Sequence, residues 1–313
     1  RTHVAEIQKL RAAGFGVVGL LQPGFNDREA GDPWFDSRET RGAWMGDTIP
    51  SDLSVWEQYV KETVSAYRSE IKTWEIYNEP NGQMTSADYI PLLKRGYEAA
   101  KEADPEATVL GICTTTDFCT EGGSFVEECL AQQCGNSLDV LSFHPYVGIQ
   151  SPESGGVQDI MQNMVELRNR YAPGKALWNS EVGWPTVATY ASHVQRGSEN
   201  HCVTALEAAA YTVRNLLLAF RMGLDRYFMY DGICPVFGFR NSGFSPLFEY
   251  DGTPNASYLA VGTAIRLLHN AQYETALELS EGVYAYLFRK SEVSVLAAVW
   301  VDNQVEKNPL GLE

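Results

Sequence analysis

The sequence predicts an α/β protein built on a parallel sheet. Short apolar runs rich in Val, Leu and Ile recur along the chain, and a segment of helical periodicity separates each from the next. Strand-helix alternation of this kind points to a barrel or a doubly wound sheet. At 313 residues there is room for one large α/β domain or two ordinary ones.

Val4, Ile7, Leu10 and Ala13 recur every three residues and predict an opening helix over Thr2–Ala13, stopped by Gly14. Gly16–Leu21 follows as a strand buried on both faces, closed by Pro23 and Gly24. A long polar loop carrying Trp34 and Trp44 leads to a helix over Asp52–Ser69. Further strands are expected at Thr73–Tyr77, Thr108–Ile112, Val140–Phe143, Ala176–Asn179 and Arg226–Tyr230. Helices are expected near Ser86–Ala103, Phe125–Gln132, Val157–Tyr171, Thr204–Met222 and Ser257–His269. After His269 the pattern changes: Gly282–Phe288 and Val293–Val301 alternate, aromatic and β-branched, and read as a β-hairpin outside the α/β region.

Composition removes several function classes. Forty acidic residues against twenty-four basic ones leave a net charge of −16, which repels phosphate backbones, so no nucleic-acid partner is expected. No run approaches the roughly 20 apolar residues that span a bilayer, so no membrane partner is expected either. The six cysteines, four of them between Cys113 and Cys134, suit the disulfides of a secreted protein, with ordinary thiols of a cytoplasmic enzyme as the alternative. Secretion, or export to a bacterial periplasm, is therefore the expected location, and the cytoplasm stays open. No C-x-x-C pair or H-E-x-x-H helix is present, and the reading calls for no metal and no cofactor. Asn255-Ala256-Ser257 matches a glycosylation sequon.

Two strand ends carry the chemistry. Trp74-Glu75-Ile76-Tyr77 runs into Asn78-Glu79-Pro80, and Pro80 stops the strand where the mouth of a barrel would lie. Lys175–Ser180 runs likewise into Glu181-Val182-Gly183-Trp184. Glu181 follows the third strand after the one bearing Glu79, which in a closed eight-stranded barrel lies across the mouth. Glycoside hydrolysis needs such a pair: one carboxyl protonates the leaving oxygen while the other attacks or activates water at the anomeric carbon. A lone Glu at a strand end more often caps a helix or pairs with Arg; two of them at matched strand ends favour chemistry. Adjacent strand residues point to opposite faces, so Asn78 and Glu79 reach one opening only if the chain bends there. Trp34, Trp44 and Trp184 are expected on loops, where stacking on a sugar and packing are comparable readings. Asp231 is either a sugar-hydroxyl acceptor or part of an ordinary Asp-Gly turn.

The Asn78-Glu79-Pro80 strand end, Glu181-Val182-Gly183-Trp184 and the intervening Ser142-Phe143-His144-Pro145-Tyr146 resemble the clan A retaining glycoside hydrolases, most of all their family 39-like members. The resemblance covers about residues 14–269. It implies a (β/α)8 barrel with Glu79 as acid/base on strand four and Glu181 as nucleophile on strand seven. By the same resemblance Asn78 would bind the sugar 2-hydroxyl, Tyr146 with His144 nearby would hold the nucleophile, and Trp184 and Tyr230 would line the sugar pocket. The implied activity is retaining hydrolysis of a β-glycosidic bond, about 5 to 5.5 Å separating the carboxyl groups.

In that frame Gly16–Leu21 is strand three, so the barrel, residues 1–270, comprises strands three to eight and lacks the first two. Residues 271–313 then begin a truncated β-sandwich-like domain. An open edge invites pairing, which makes a homo-oligomer covering the gap, or a weakly active fragment, the expectation. The expected partner is an oligosaccharide, polysaccharide or aryl glycoside. The rival class is a non-catalytic carbohydrate-binding or scaffold protein derived from such a barrel. A Schiff-base aldolase would need a Lys at a strand's carboxyl end, whereas Lys72 and Lys175 stand at strand starts.

Overall fold

A computed structural model describes residues 4–22, 52–115, 125–187, 202–233 and 242–302. It contains helices α1 (Val4–Ala12), α2 (Leu53–Tyr67), α3 (Ser86–Ala103), α4 (Phe125–Ala131), α5 (Val157–Tyr171), α6 (Ala205–Arg221) and α7 (Ala256–Leu268). The strands are β1 (Val18–Leu21), β2 (Thr73–Ile76), β3 (Thr108–Thr115), β4 (Val140–His144), β5 (Ala176–Asn179), β6 (Pro185–Val187), β7 (Arg226–Tyr227), β8 (Ser242–Phe244), β9 (Gln272–Ala276), β10 (Val283–Ser291) and β11 (Ser294–Val301). Six strands form one parallel sheet in the order β1-β2-β3-β4-β5-β7, an α/β arrangement that matches part of a (β/α)8 barrel. No described helix is long and apolar enough to cross a membrane.

The chain divides into two compact units, residues 1–144 with 163–178, and residues 145–162 with 179–313. In the first, β1 pairs β2 from Val18 opposite Thr73 to Leu21 opposite Ile76, and β2 pairs β3 from Thr73 opposite Thr108. The β3–β4 register shifts between Gly111 and Thr114, where Ile112 and Cys113 carry positive φ of 76° and 39°. α2 packs on α3 through its buried stripe Trp56, Val60 and Val64, and the Trp56 indole N–H donates to Leu92 O at 2.9 Å. Helix starts follow their caps: Asp52 accepts from Ser54 N, and Thr85 accepts from Asp88 N.

Tyr89 of α3 ties two strands together. Its hydroxyl donates to Ile76 O at 2.9 Å and accepts from Ile112 N at 3.0 Å, so it supplies ladder bonds where β2 ends and β3 bulges. Burial pushes its phenol well above the ordinary range, which keeps it neutral and able to donate.

In the second unit α6 opens with a Thr204/Glu207 capping box, and α7 with Asn255, whose side chain accepts from Ala256 N at 2.7 Å. Asn255 is buried and also donates to Glu249 at 3.1 Å, so this sequon serves as a helix cap and offers no free amide for a glycan in the folded chain. The C-terminal region is a three-stranded antiparallel sheet, β11-β10-β9, instead of a bare hairpin. β9 was missed because its exposed polar residues alternate weakly.

The expectation that Gly16–Leu21 is buried on both faces fails. β1 is an edge strand whose only buried residue is Leu21, and Leu20 is 49 % exposed. An apolar run reports β propensity, whereas tertiary packing decides burial. Cys113, Cys129, Cys134 and Cys202 carry free thiols, so among the described residues the disulfide expectation is not met; Cys119 and Cys234 lie outside them.

Removing the Tyr89 hydroxyl leaves a buried carbonyl and a buried N–H unpaired. Tyr89→Phe is expected to cost about 1–3 kcal/mol, read as a lower melting temperature with an unchanged circular dichroism spectrum.

Candidate active site

The strand carrying Glu79 ends sooner than the apolar pattern suggests. β2 stops at Ile76, and the chain turns through Tyr77 at φ 67° and Glu79 at φ 47° before Pro80 opens a short 3-10 turn. This is the bend the sequence required at Asn78. Left-handed backbone is costly for Tyr and Glu, and here several partners hold it. Tyr77 N donates to Leu21 O at 3.0 Å, Asn78 N to Gln22 Oε1 at 3.3 Å, and Glu79 N to Cys113 O at 3.1 Å. Gln83 Nε2 donates to Asn78 O at 3.0 Å, and the Asn81 amide exchanges hydrogen bonds with the Thr115 backbone at 3.1 and 3.3 Å. The β3 bulge is part of the same device, because it presents Cys113 O to Glu79.

Held this way, Glu79 meets His144, the last residue of β4: Nδ1 lies 2.9 Å from Oε1. The imidazole is buried at 1 % exposure and the carboxylate is 22 % exposed, so one group is fixed and the other stays open to solvent. Asn78 is also buried, at 8 %.

The second carboxylate has its own partner. Tyr146 donates from its hydroxyl to Glu181 Oε1 at 2.7 Å. Tyr146 packs edge-on against Phe244 at 5.9 Å, and Phe244 in turn lies 5.7 Å from the Tyr230 ring. Around Glu181 the backbone is closely set: Tyr230 N donates to Val182 O at 2.8 Å, and Ser245 N to Trp184 O at 2.9 Å. Gly183 is required there, since a Cβ would sit 1.9 Å from Tyr230 O. β6 and β8 pair Pro185 with Phe244 beside it.

The sequence-derived residues thus fall into two groups, Asn78, Glu79 and His144 in the first unit and Tyr146, Glu181 and Tyr230 in the second. His144 meets Glu79, and Tyr146 is hydrogen-bonded to Glu181. One expectation is corrected. Trp184 is 1 % exposed, packed among Val182, Val203, Ala208 and Tyr211, with its indole N–H donating to Gln150 O at 2.7 Å; it is a core residue. A Trp after a strand end reads alike in either role, and only the helix behind it, α6 with Tyr211 at 5.8 Å, decides. Tyr230 is 43 % exposed. Trp34 and Trp44 lie outside the described residues. Gln22, Phe244 and Cys113 are not legible as site residues: they act through an amide oxygen reaching a backbone N–H, edge-on and tilted ring contacts, and a carbonyl, none with a motif.

Asp231 stands next to Tyr230 with Oδ1 buried and unpartnered. Burial pushes its carboxyl up to about 7, offset in part by hydrogen bonds from its own and the Phe244 backbone N–H groups.

At the level of sequence, no protein-family profile and no curated protein matches the chain. The fold does have solved counterparts, glycoside hydrolases among them. A family 39 glycoside hydrolase from Bacteroides cellulosilyticus superposes with a TM-score of 0.66 at 22 % identity, over 81 % of this chain and 53 % of that one. A monomeric β-xylosidase from Caulobacter crescentus gives 0.50 at 21 % identity, over 77 % and 51 %. The family 39 enzyme of Xanthomonas axonopodis pv. citri gives 0.52 at 17 %, over 81 % and 54 %. The chain spans about half the length of these structures, and the likeness is one of fold.

A raised carboxyl affinity makes Asp231 a pH-dependent liability. The folded state holds its proton up to about pH 7 while the unfolded chain releases it near 4, so stability falls as pH rises through that window and stays lower above it. Asp231→Asn is therefore expected to raise the melting temperature at pH 8 more than at pH 5. An equal change at both would contradict this.

Proposed function

We propose that this chain is catalytic region of a retaining glycoside hydrolase acting on a β-glycosidic bond, with Glu79 as acid/base and Glu181 as nucleophile. The observation that carries the reading is the matched pair of strand-end glutamates, each already hydrogen-bonded by one side chain, His144 on Glu79 and Tyr146 on Glu181. Both partners come from a single His-Pro-Tyr stretch that begins at the end of β4. The fold likeness to family 39 enzymes supports the reaction class.

In the proposed double displacement, a Glu181 carboxylate oxygen bonds to the anomeric carbon as the glycosidic C–O bond breaks, and protonated Glu79 gives its proton to the departing oxygen. The leaving alcohol departs, and the sugar remains as an ester of Glu181. Glu79, now a carboxylate, takes a proton from water while the water oxygen attacks the anomeric carbon, and Glu181 leaves as carboxylate. The Tyr146 hydroxyl orients Glu181 for attack and His144 orients Glu79 for transfer. Asn78 and Tyr230 are the proposed sugar contacts.

We further propose an oligosaccharide, polysaccharide or aryl glycoside as substrate, an exported protein, and a second copy pairing along the exposed β1 edge. Residues 271–313 are proposed as the start of a β-domain. Light scattering tests the pairing: a chain that stays monomeric at micromolar concentration excludes it.

Aryl β-glycosides test the chemistry. Glu181→Gln is expected to abolish turnover on every leaving group. Glu79→Gln should cost about 10²–10⁴-fold on a poor leaving group and far less on a dinitrophenyl glycoside, which needs no proton. Proton NMR should show the β-anomer as first product. A folded wild-type chain that binds sugar without turnover, or that releases the α-anomer first, would overturn the reading.

A further inference from the structure

The loop between β4 and α5 carries Tyr146, and three of its other residues, Ser151, Glu153 and Ser154, are fastened to β11 and to Asp302 directly after it. Ser151 Oγ donates to Asp302 Oδ1 at 2.8 Å, and Ser154 Oγ donates to Asp302 Oδ2 at 2.9 Å. Glu153, between them, forms an ion pair with Arg214 of α6 and accepts from the Trp300 indole N–H at 2.7 Å. Arg214 also lies 3.7 Å from Asp302. Ser151, Arg214 and Asp302 are all buried, at 0, 6 and 6 % exposure.

Two carboxylates and one guanidinium out of water would be costly alone; here serine hydroxyls and an indole complete their hydrogen bonds. Asp302 itself is anchored, since its N–H donates to Gly282 O at 3.0 Å. Trp300 stacks on Tyr284 at 5.7 Å and meets Tyr286 edge-on at 4.9 Å.

At its other end the loop grips the segment after Glu181. Gln150 O accepts from Trp184, and Val147 packs against the cluster of Val182, Trp184 and Tyr211. The loop closes on itself so tightly that a Cβ on Gly155 would come within 2.5 Å of Val147. The Tyr146 ring therefore hangs from a loop that is pinned on both sides. A closely packed interior passes a displacement on instead of absorbing it, and a misplacement of about 1 Å can cost on the order of 10²-fold in rate.

We infer that Asp302 is a positioning residue for the reaction: through Ser151 and Ser154 it sets the loop that places the Tyr146 hydroxyl on Glu181. The inference rests on the proposed role of Glu181. It makes the segment that leaves β11 part of the catalytic apparatus, although Asp302 makes no hydrogen bond to the nucleophile among those described above.

Three variants test it, Asp302→Ala, Tyr146→Phe and the double, with kcat and KM on an aryl β-glycoside and hydrogen exchange of residues 146–156. Asp302→Ala is expected to lower kcat by about tenfold or more with KM within about twofold, and to speed exchange in 146–156 while α3 is unchanged. The double variant should be no worse than Tyr146→Phe alone, because both changes break one device. Asp302→Asn, which keeps one acceptor, should recover most of kcat; if the Ala variant does not fold, Ser151→Ala carries the same expectations. Losses that multiply in the double variant, or a lower melting temperature with kcat intact, would show a purely structural role. Unchanged exchange in 146–156 overturns the positioning whether or not the chain turns over, whereas a folded wild-type chain without turnover overturns the hydrolase reading itself.

Discussion

The end of β4 is the constraint on which both candidate groups depend. His144 is fully buried and cannot swing, so the side chain it bonds must come to it. Two residues later Tyr146 makes the corresponding bond to Glu181. Pro145 between them restricts the backbone of His144 as well as its own. One short stretch thus carries the partners of two glutamates that are far apart in sequence.

Meeting a fixed donor imposes strain elsewhere. Glu79 reaches His144 only by leaving the strand through left-handed backbone at Tyr77 and Glu79, and the bulge in β3 supplies the carbonyl that Glu79 N needs. Tyr89 then satisfies the backbone groups that the early strand end and the bulge leave over. The strained turn, the bulge and the phenol form one set, since each provides the hydrogen bond another has given up.

Sequence pattern revealed much of this fold because parallel strands and amphipathic helices have distinct periods, and α3, α5 and β5 fall where those periods place them. The need for a bend at Asn78 was legible too, since alternation alone forbids neighbours on one face. What escaped were features decided by partners distant in sequence. Trp184 is core because Tyr211 lies behind it, Leu20 is exposed because β1 is an edge, and Asp302 gains its role from serines 151 and 148 residues earlier. No local period encodes such pairings. The two glutamates were legible for the opposite reason: a carboxylate at a strand's end is marked by the strand itself.

The hydrogen bonds on those glutamates also bear on the choice between a hydrolase and a sugar-binding protein. A site that only binds sugar gains from carboxylates whose acceptor positions are open to sugar hydroxyls. Tyr146 already occupies Glu181 Oε1, and His144 occupies Glu79 Oε1, which uses up part of that capacity. The same bonds fix one oxygen of each group and leave the other to be aimed, which benefits attack at carbon and proton transfer far more than affinity. Strain in the backbone that carries Glu79 argues the same way. A binding loop could reach a hydroxyl from relaxed backbone, whereas the proposed proton donor must meet one oxygen at one angle, a demand that fits a backbone held left-handed at Tyr77 and Glu79.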